Sequence, residues 1–203
     1  MDYCWVTSPA APSLSHDPGL PAPHDLVLLG WAGALDARAQ LPQGYSQRLA
    51  SLAARLARAL GLDEAQIADL SRGALLHDLG MIQIPDSVLR KPGPLSAGEW
   101  ALIRMHPVYA EELLAPIPML RPATSIPRYH HECWDGSGYP YGLRGRQIPL
   151  AARIFAVADA WAAMTTDRPH RRALPPEVAR QQLCEASGRQ FDPAIVEAFL
   201  SLR

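Results

Sequence analysis

The stretch Asp63-Glu64-Ala65-Gln66-Ile67-Ala68-Asp69-Leu70-Ser71-Arg72-Gly73-Ala74-Leu75-Leu76-His77-Asp78 starts a helix and ends it on two metal-type side chains. Asp63 and Gln66 have the spacing of a capping box, in which each side chain satisfies a backbone N–H of the other's residue. That predicts a helix running to about Leu76, with His77 and Asp78 delivered at its C-terminal end. Upstream, Leu49, Leu52, Ala53, Leu56, Ala57 and Leu60 recur at three and four, the spacing of one helical face, and Gly61 stands where it can stop the helix. The longest apolar run, Leu26 to Leu35, lies between Asp25 and Asp36. Its length of about ten residues is half of what a bilayer crossing requires, so it reads as a buried helix.

Downstream, Ser96 and Glu99 make a second capping box, opening a helix through Trp100 and Ile103 toward His106, which Pro107 must bend or interrupt. Pro116, Pro118, Pro122 and Pro127 punctuate the next stretch and predict a short helix around His130-His131. Pro149 leads into a helix from Ala151 to about Thr165 that carries Asp159; Pro176 and Pro193 open two closing helices, the second after the cap residue Asp192. No alternating strand pattern and no internal repeat appears. The expected fold is an all-α bundle of roughly seven helices. Residues 1–23, rich in proline, alanine and serine, read as a disordered tail, and 24–203 as the domain. His16 and His24, in the tail or at its edge, read as incidental.

The chain of 203 residues is 48% hydrophobic and 19% charged, enough to bury one proper core. A net charge of -1 argues against a binder of nucleic acid polymers, which normally carry a marked basic excess. A small anionic ligand needs only a local patch, which Arg144, Arg146, Arg168, Arg171 and Arg172 can supply; each taken singly also reads as a solvated surface arginine. The three cysteines, Cys4, Cys133 and Cys184, are odd in number and far apart, which fits a reducing cytoplasm and no disulfide framework. Cys133 reads as a small neutral filler. No membrane or targeting segment stands out.

His106, the vicinal pair His130-His131 and Asp159 extend the set begun by His77-Asp78. Imidazoles and carboxylates in that number suit two close cations with one carboxylate bridging them, a site for hydrolysing a phosphate ester. After the histidine pair comes Glu132-Cys133-Trp134-Asp135-Gly136-Ser137-Gly138-Tyr139-Pro140. In this loop Gly136 and Gly138, with Gly142 beyond, permit close approach or positive φ.

With Ile84-Pro85-Asp86, Lys91-Pro92-Gly93, His106-Pro107, Ile148-Pro149-Leu150, Asp167-Arg168-Pro169 and Phe191-Asp192-Pro193, these segments resemble the HD-GYP family from about Trp31 to Leu200. That family is a branch of the HD superfamily of metal-dependent phosphohydrolases, and its members cleave cyclic di-GMP. The resemblance implies two divalent metal ions, iron or manganese. His77, Asp78 and Asp159 would hold one, and Asp78, His106, His130 and His131 the other. It implies a catalytic part for Asp78 and Tyr139 and substrate contacts from Tyr139, Arg168 and Arg171. It also implies cyclic di-GMP as ligand and a diguanylate cyclase domain protein as a partner.

Three positions depart from the family pattern. Tyr45 stands where a metal-binding histidine opens the first domain helix, Met81 replaces a lysine, and Ala162 replaces an aspartate. A phenolate at Tyr45 is an acceptable ligand for iron, although tyrosine in a helix more often packs. A thioether at Met81 has no proton to donate to a phosphate oxygen. Losing one preorganised donor typically slows a reaction by about 100- to 1000-fold. The expected activity is therefore a cyclic di-GMP phosphodiesterase, reduced in rate, giving pGpG or GMP. The alternative is a degenerate domain that binds the dinucleotide or a signalling partner.

Overall fold

The computed structural model describes residues 23–167 and 172–202. Ten α-helices lie among them: α1 (Pro23–Arg38), α2 (Tyr45–Ala59), α3 (Glu64–Leu75), α4 (Asp86–Leu89), α5 (Ala97–Ile103), α6 (His106–Leu114), α7 (Ser125–Tyr129), α8 (Leu150–Thr165), α9 (Pro176–Ala186) and α10 (Pro193–Leu200). Among the described residues there is no strand, only an isolated bridge between Ser187 and Phe191. The all-α expectation holds. The count exceeds seven partly because α4 and α7 are short pieces associated with Pro85 and Pro127. It also rises because Pro107 lies in the first turn of a new helix, α6, where its missing N–H costs nothing.

Local caps set most boundaries. Both capping boxes form, at Asp63 with Gln66 and at Ser96 with Glu99. Gly61 turns the chain at φ 81° after α2, and Asp192 accepts from the Ala194 N–H to open α10. The core is one cluster of apolar side chains from α1, α2, α3, α6, α7, α8, α9 and α10, with Leu49, Leu56, Leu70, Phe155 and Leu183 almost wholly buried. Each such side chain contributes about 1.5–3 kcal/mol over leaving it in water. Helix α8 runs through the middle, touching α2, α3, α7, α9 and α10.

One expectation is corrected. Helix α1 is not buried all round: Leu28 and Ala32 face the core, while Leu26, Val27 and Trp31 are exposed. Leu28 and Ala32 are one turn apart, and Asp36, a further turn on, is also buried, its carboxylate accepting from the Ser46 N–H and hydroxyl at the start of α2. The outer face has no neighbour among these helices to cover it. The tail reading for residues 1–22, with Cys4 and His16, lies outside the described residues.

Two contacts place the segment after α3. Residues 79–83 form a 3-10 turn against α6, where Gly80 comes so close that a Cβ there would meet the His106 carbonyl oxygen at 1.9 Å and the Ala110 nitrogen at 2.7 Å. Arg38, closing α1, donates to the carbonyls of Met81 and Ile84 at 2.8 Å and pairs with Asp86 at 2.9 Å. The turn is thus held from both sides.

Candidate metal centre

His77 and Asp78 leave the C-terminal end of α3, His106 is the first residue of α6, and His130-His131 follow directly on α7. Asp78, His106, His130 and His131 bring one ligand atom each within 4.8 Å of one another. Asp78 divides its carboxylate. Oδ2 lies 3.3 Å from His77 Nε2, while Oδ1 lies 3.4 Å from His106 Nε2 and 3.7 Å from His130 Nε2. One oxygen faces each group of imidazoles, the arrangement a bridging carboxylate needs.

The rings are oriented by backbone. His77 Nδ1 contacts the Ala74 carbonyl at 2.9 Å, His106 Nδ1 that of Ile103 at 2.8 Å, and His130 Nδ1 those of Ile126 and Pro127 at 3.1 Å. A carbonyl only accepts, so each Nδ1 carries the proton and each Nε2 of a neutral ring presents a lone pair. His106 Nε2 and His130 Nε2 then face each other at 3.4 Å as two acceptors. Acceptors converging on an acidic oxygen repel unless a proton or a cation lies among them, so the donor set fits a metal ion.

Charge follows the same geometry. Burial pushes His77 down, but the Asp78 carboxylate beside it, and then Asp159, outweigh burial and raise it to about 9. His106 is lowered by burial to about 4, with His130 and His77 working against the pull of Asp78, and His131 by burial and the neighbouring His130 and His106 to about 2. Burial raises Asp78, but the surrounding imidazoles hold it well below the usual carboxylate range. Asp159, in the middle of α8, acts electrostatically on His77 and on Tyr139. Phe155, one turn before it, forms an apolar wall 5.0 Å from the His77 ring and 5.9 Å from His130, centroid to centroid.

The glycine-rich loop closes over this centre. Tyr139 stacks on His131 with centroids 4.7 Å apart and planes at 21°, and its N–H donates to the His131 carbonyl at 3.1 Å. Gly136 and Gly142 take positive φ of 85° and 66°. At Gly138 a Cβ would meet the Cys133 nitrogen at 2.3 Å, so only glycine lets the loop fold back on the histidine pair. Glu132 is buried, and its two oxygens accept from the N–H groups of Tyr141 and Leu143 at 2.8 and 2.9 Å. Burial raises the Tyr139 phenol above its ordinary value. It likewise raises the Cys133 thiol, which keeps it in the protonated, less reactive form and agrees with the filler reading.

Sequence reasoning thus named the residues that meet here, His77, Asp78, His106, His130 and His131, with Asp159 and Tyr139 in electrostatic contact. Arg168 and Arg171 lie outside the described residues; Arg144, Arg146 and Arg172 are exposed. Tyr45 packs in the apolar core at the start of α2, Met81 is half-buried in the turn that Arg38 grips, and Ala162 packs partly buried on α8. Arg104, Phe155 and the loop-tying part of Glu132 were missed. Only Arg104, a cation two residues before a candidate ligand, left a signal in the sequence.

The HD domain family profile matches residues 32–195. The chain belongs to the HD domain family. The motifs that resemble HD-GYP lie within the matched part of this HD domain. A Thermotoga maritima protein named cyclic di-GMP phosphodiesterase is 39% identical over 160 residues, 78% of this chain and 44% of that protein. A Vibrio cholerae protein named 3'3'-cGAMP-specific phosphodiesterase 2 is 39% identical over 171 residues, 83% of this HD domain chain and 33% of the relative. The chain therefore spans a third to under half the length of these curated relatives. Among solved structures, a cyclic GMP-AMP specific phosphodiesterase of V. cholerae superposes with a TM-score of 0.68 over 86% of this chain and 47% of that one. At 21% identity that likeness shows the shared fold. No described helix is long and apolar enough to cross a membrane.

Proposed function

We propose that this HD domain is a metal-dependent phosphodiesterase acting on cyclic di-GMP and releasing pGpG or GMP. The observation that carries the reading is the split Asp78 carboxylate, one oxygen toward His77 and the other toward His106 and His130. His77, Asp78 and Asp159 would hold one divalent cation and Asp78, His106, His130 and His131 a second, iron or manganese. Cations held by these residues would supply Lewis-acid activation of water near neutral pH and charge neutralisation for the phosphoryl oxygens. The chain's own residues set the stage. Backbone carbonyls fix the Nδ1 protons of three histidines, so their Nε2 atoms stay turned toward Asp78. Tyr139 keeps its proton, which makes it a neutral hydrogen-bonding group beside His131, and Phe155 excludes water from the far wall.

Several features support a nucleotide ligand. The Thermotoga and Vibrio relatives are named for cyclic dinucleotides. A cleft of about 560 Å³ runs beside the glycine-rich loop between Cys133, Ala160, Ala163, Met164 and Phe191, with Gln182 and Glu185 at its polar side. Ala163 lies one turn beyond Asp159, while none of His77, Asp78, His106, His130, His131 and Asp159 lines the cleft, which has the size of a small-ligand site. We assign Arg168 and Arg171 to the phosphates and the chain to the cytoplasm, where unpaired Cys133 and Cys184 stay reduced. A diguanylate cyclase domain partner rests on the resemblance, through the loop whose Tyr141 is exposed.

Met81 in place of the family's lysine, and Tyr45 in the core, favour a second reading with the same ligand, binding without turnover. Metal analysis after anaerobic purification, with product analysis on cyclic di-GMP and His130→Ala as control, tests both. Metal-dependent cleavage supports the enzyme, and tight binding without products supports the binder. Less than about a tenth of an equivalent of transition metal after reconstitution refutes the site.

A further inference from the structure

Arg104 closes α5 two residues before His106, and its side chain is exposed. Its guanidinium carbon stands 5.5 Å from the centroid of the Tyr139 ring, whose other neighbour is His131 at 4.7 Å. The three side chains form a column: cation, phenol ring, imidazole. Its inner end belongs to the four-residue cluster around Asp78, and its outer end is a positive charge facing solvent.

Other arginines near the centre are committed elsewhere. Arg38 pairs with Asp86, Arg128 with Glu111, and Arg153 with Asp192. For Arg104 no carboxylate lies within ion-pair distance among the described residues, and its five N–H donors are turned to no protein acceptor there. A guanidinium held in place by an aromatic face but left without an acceptor is prepared for a phosphate.

A cyclic dinucleotide carries two phosphodiesters in one small ring. When one is at the Asp78 cluster, the other must lie a short distance outside it, still charged and still needing a partner. We propose that Arg104, carried by Tyr139, binds this second, unreacting phosphate, and that the site thereby selects two-phosphate rings over simple phosphodiesters and mononucleotides. The inference rests on the cyclic dinucleotide reading above. It needs binding only, so it holds for enzyme and binder alike.

Isothermal titration of manganese-loaded protein with cyclic di-GMP and with GMP, for wild type, Arg104→Ala and Arg104→Lys, tests it. Losing a charge-assisted hydrogen bond at a partly solvated site should weaken cyclic di-GMP binding by about tenfold and GMP binding by less than about threefold. Lysine should restore part of the loss, and the alanine variant should show a shallower salt dependence. Metal content, read on the same samples, separates this from damage to the centre. An equal loss for both ligands would make Arg104 a positioning residue for Tyr139, and no loss would make it a solvated arginine; either overturns the inference. Wild-type protein that binds GMP but not cyclic di-GMP overturns the substrate reading itself, and the second-phosphate site with it.

Discussion

Gly80→Ala is expected to break the metal centre without touching a ligand. The added Cβ would sit 1.9 Å from the His106 carbonyl oxygen and 2.7 Å from the Ala110 nitrogen, both backbone atoms that no rotamer change can move. Reaching even 3.0 Å, below which real Cβ contacts essentially do not occur, forces the turn and the start of α6 apart by about 1 Å. Asp78 rides on that turn and His106 on that helix, and their facing atoms are only 3.4 Å apart. A misplacement of this size typically slows catalysis by about 100-fold. Metal affinity should fall by about 10- to 100-fold, as when ligand-orienting contacts are lost. Overpacking should lower stability by about 1–3 kcal/mol. Gly98→Ala is the control: nothing lies within 4 Å of its Cβ in the first turn of α5, so metal affinity should hold. Metal titration, single-turnover hydrolysis and urea melts are the assays. A Gly80→Ala protein with metal affinity and rate within about threefold of wild type would refute the idea that this contact sets the spacing of the ligands.

Met81→Lys should raise single-turnover hydrolysis of cyclic di-GMP at equal metal loading, by up to about 100-fold if the new ammonium reaches the developing charge; an unchanged rate would show that the half-buried turn directs the side chain elsewhere. Glu132→Gln keeps the shape but leaves one of the Tyr141 and Leu143 N–H groups facing an amide NH2 instead of an oxygen. A loss of about 1–3 kcal/mol in urea unfolding is expected, and an unaltered midpoint would show that the carboxylate does not tie the loop. For metal-stripped protein, stability should peak near pH 6.5. His77, raised to about 9, contributes stability that is present below 6.5 and lost as pH climbs to 9. His106 and His131, lowered to about 4 and about 2, contribute stability that is lost as pH falls below 6.5, and Asp78 adds to that acid loss. Urea midpoints at pH 4, 6.5 and 9 that rise steadily across the range would contradict this assignment.

Local chemistry wrote much of this protein into its sequence. The capping boxes at Asp63 and Ser96, the glycine after α2 and the prolines at α6, α9 and α10 act within a few residues of themselves, so helix starts and stops were readable before any contact was known. The site's membership was readable too, because the residue types that bind metal are few and occur here in one ordered set. What only the tertiary structure decided involves residues far apart in the chain. The apolar run of α1 gave no hint that Leu26, Val27 and Trp31 would stay exposed, since which face is covered depends on where α2 and α3 lie. Nothing near Gly80 in sequence announces the backbone of α6. The division of the Asp78 carboxylate between His77 and the pair His106 and His130, and the placing of Arg104 over Tyr139, follow from packing separate helices against one another. The sequence by itself names the candidate ligands, and the packing brings their side chains together.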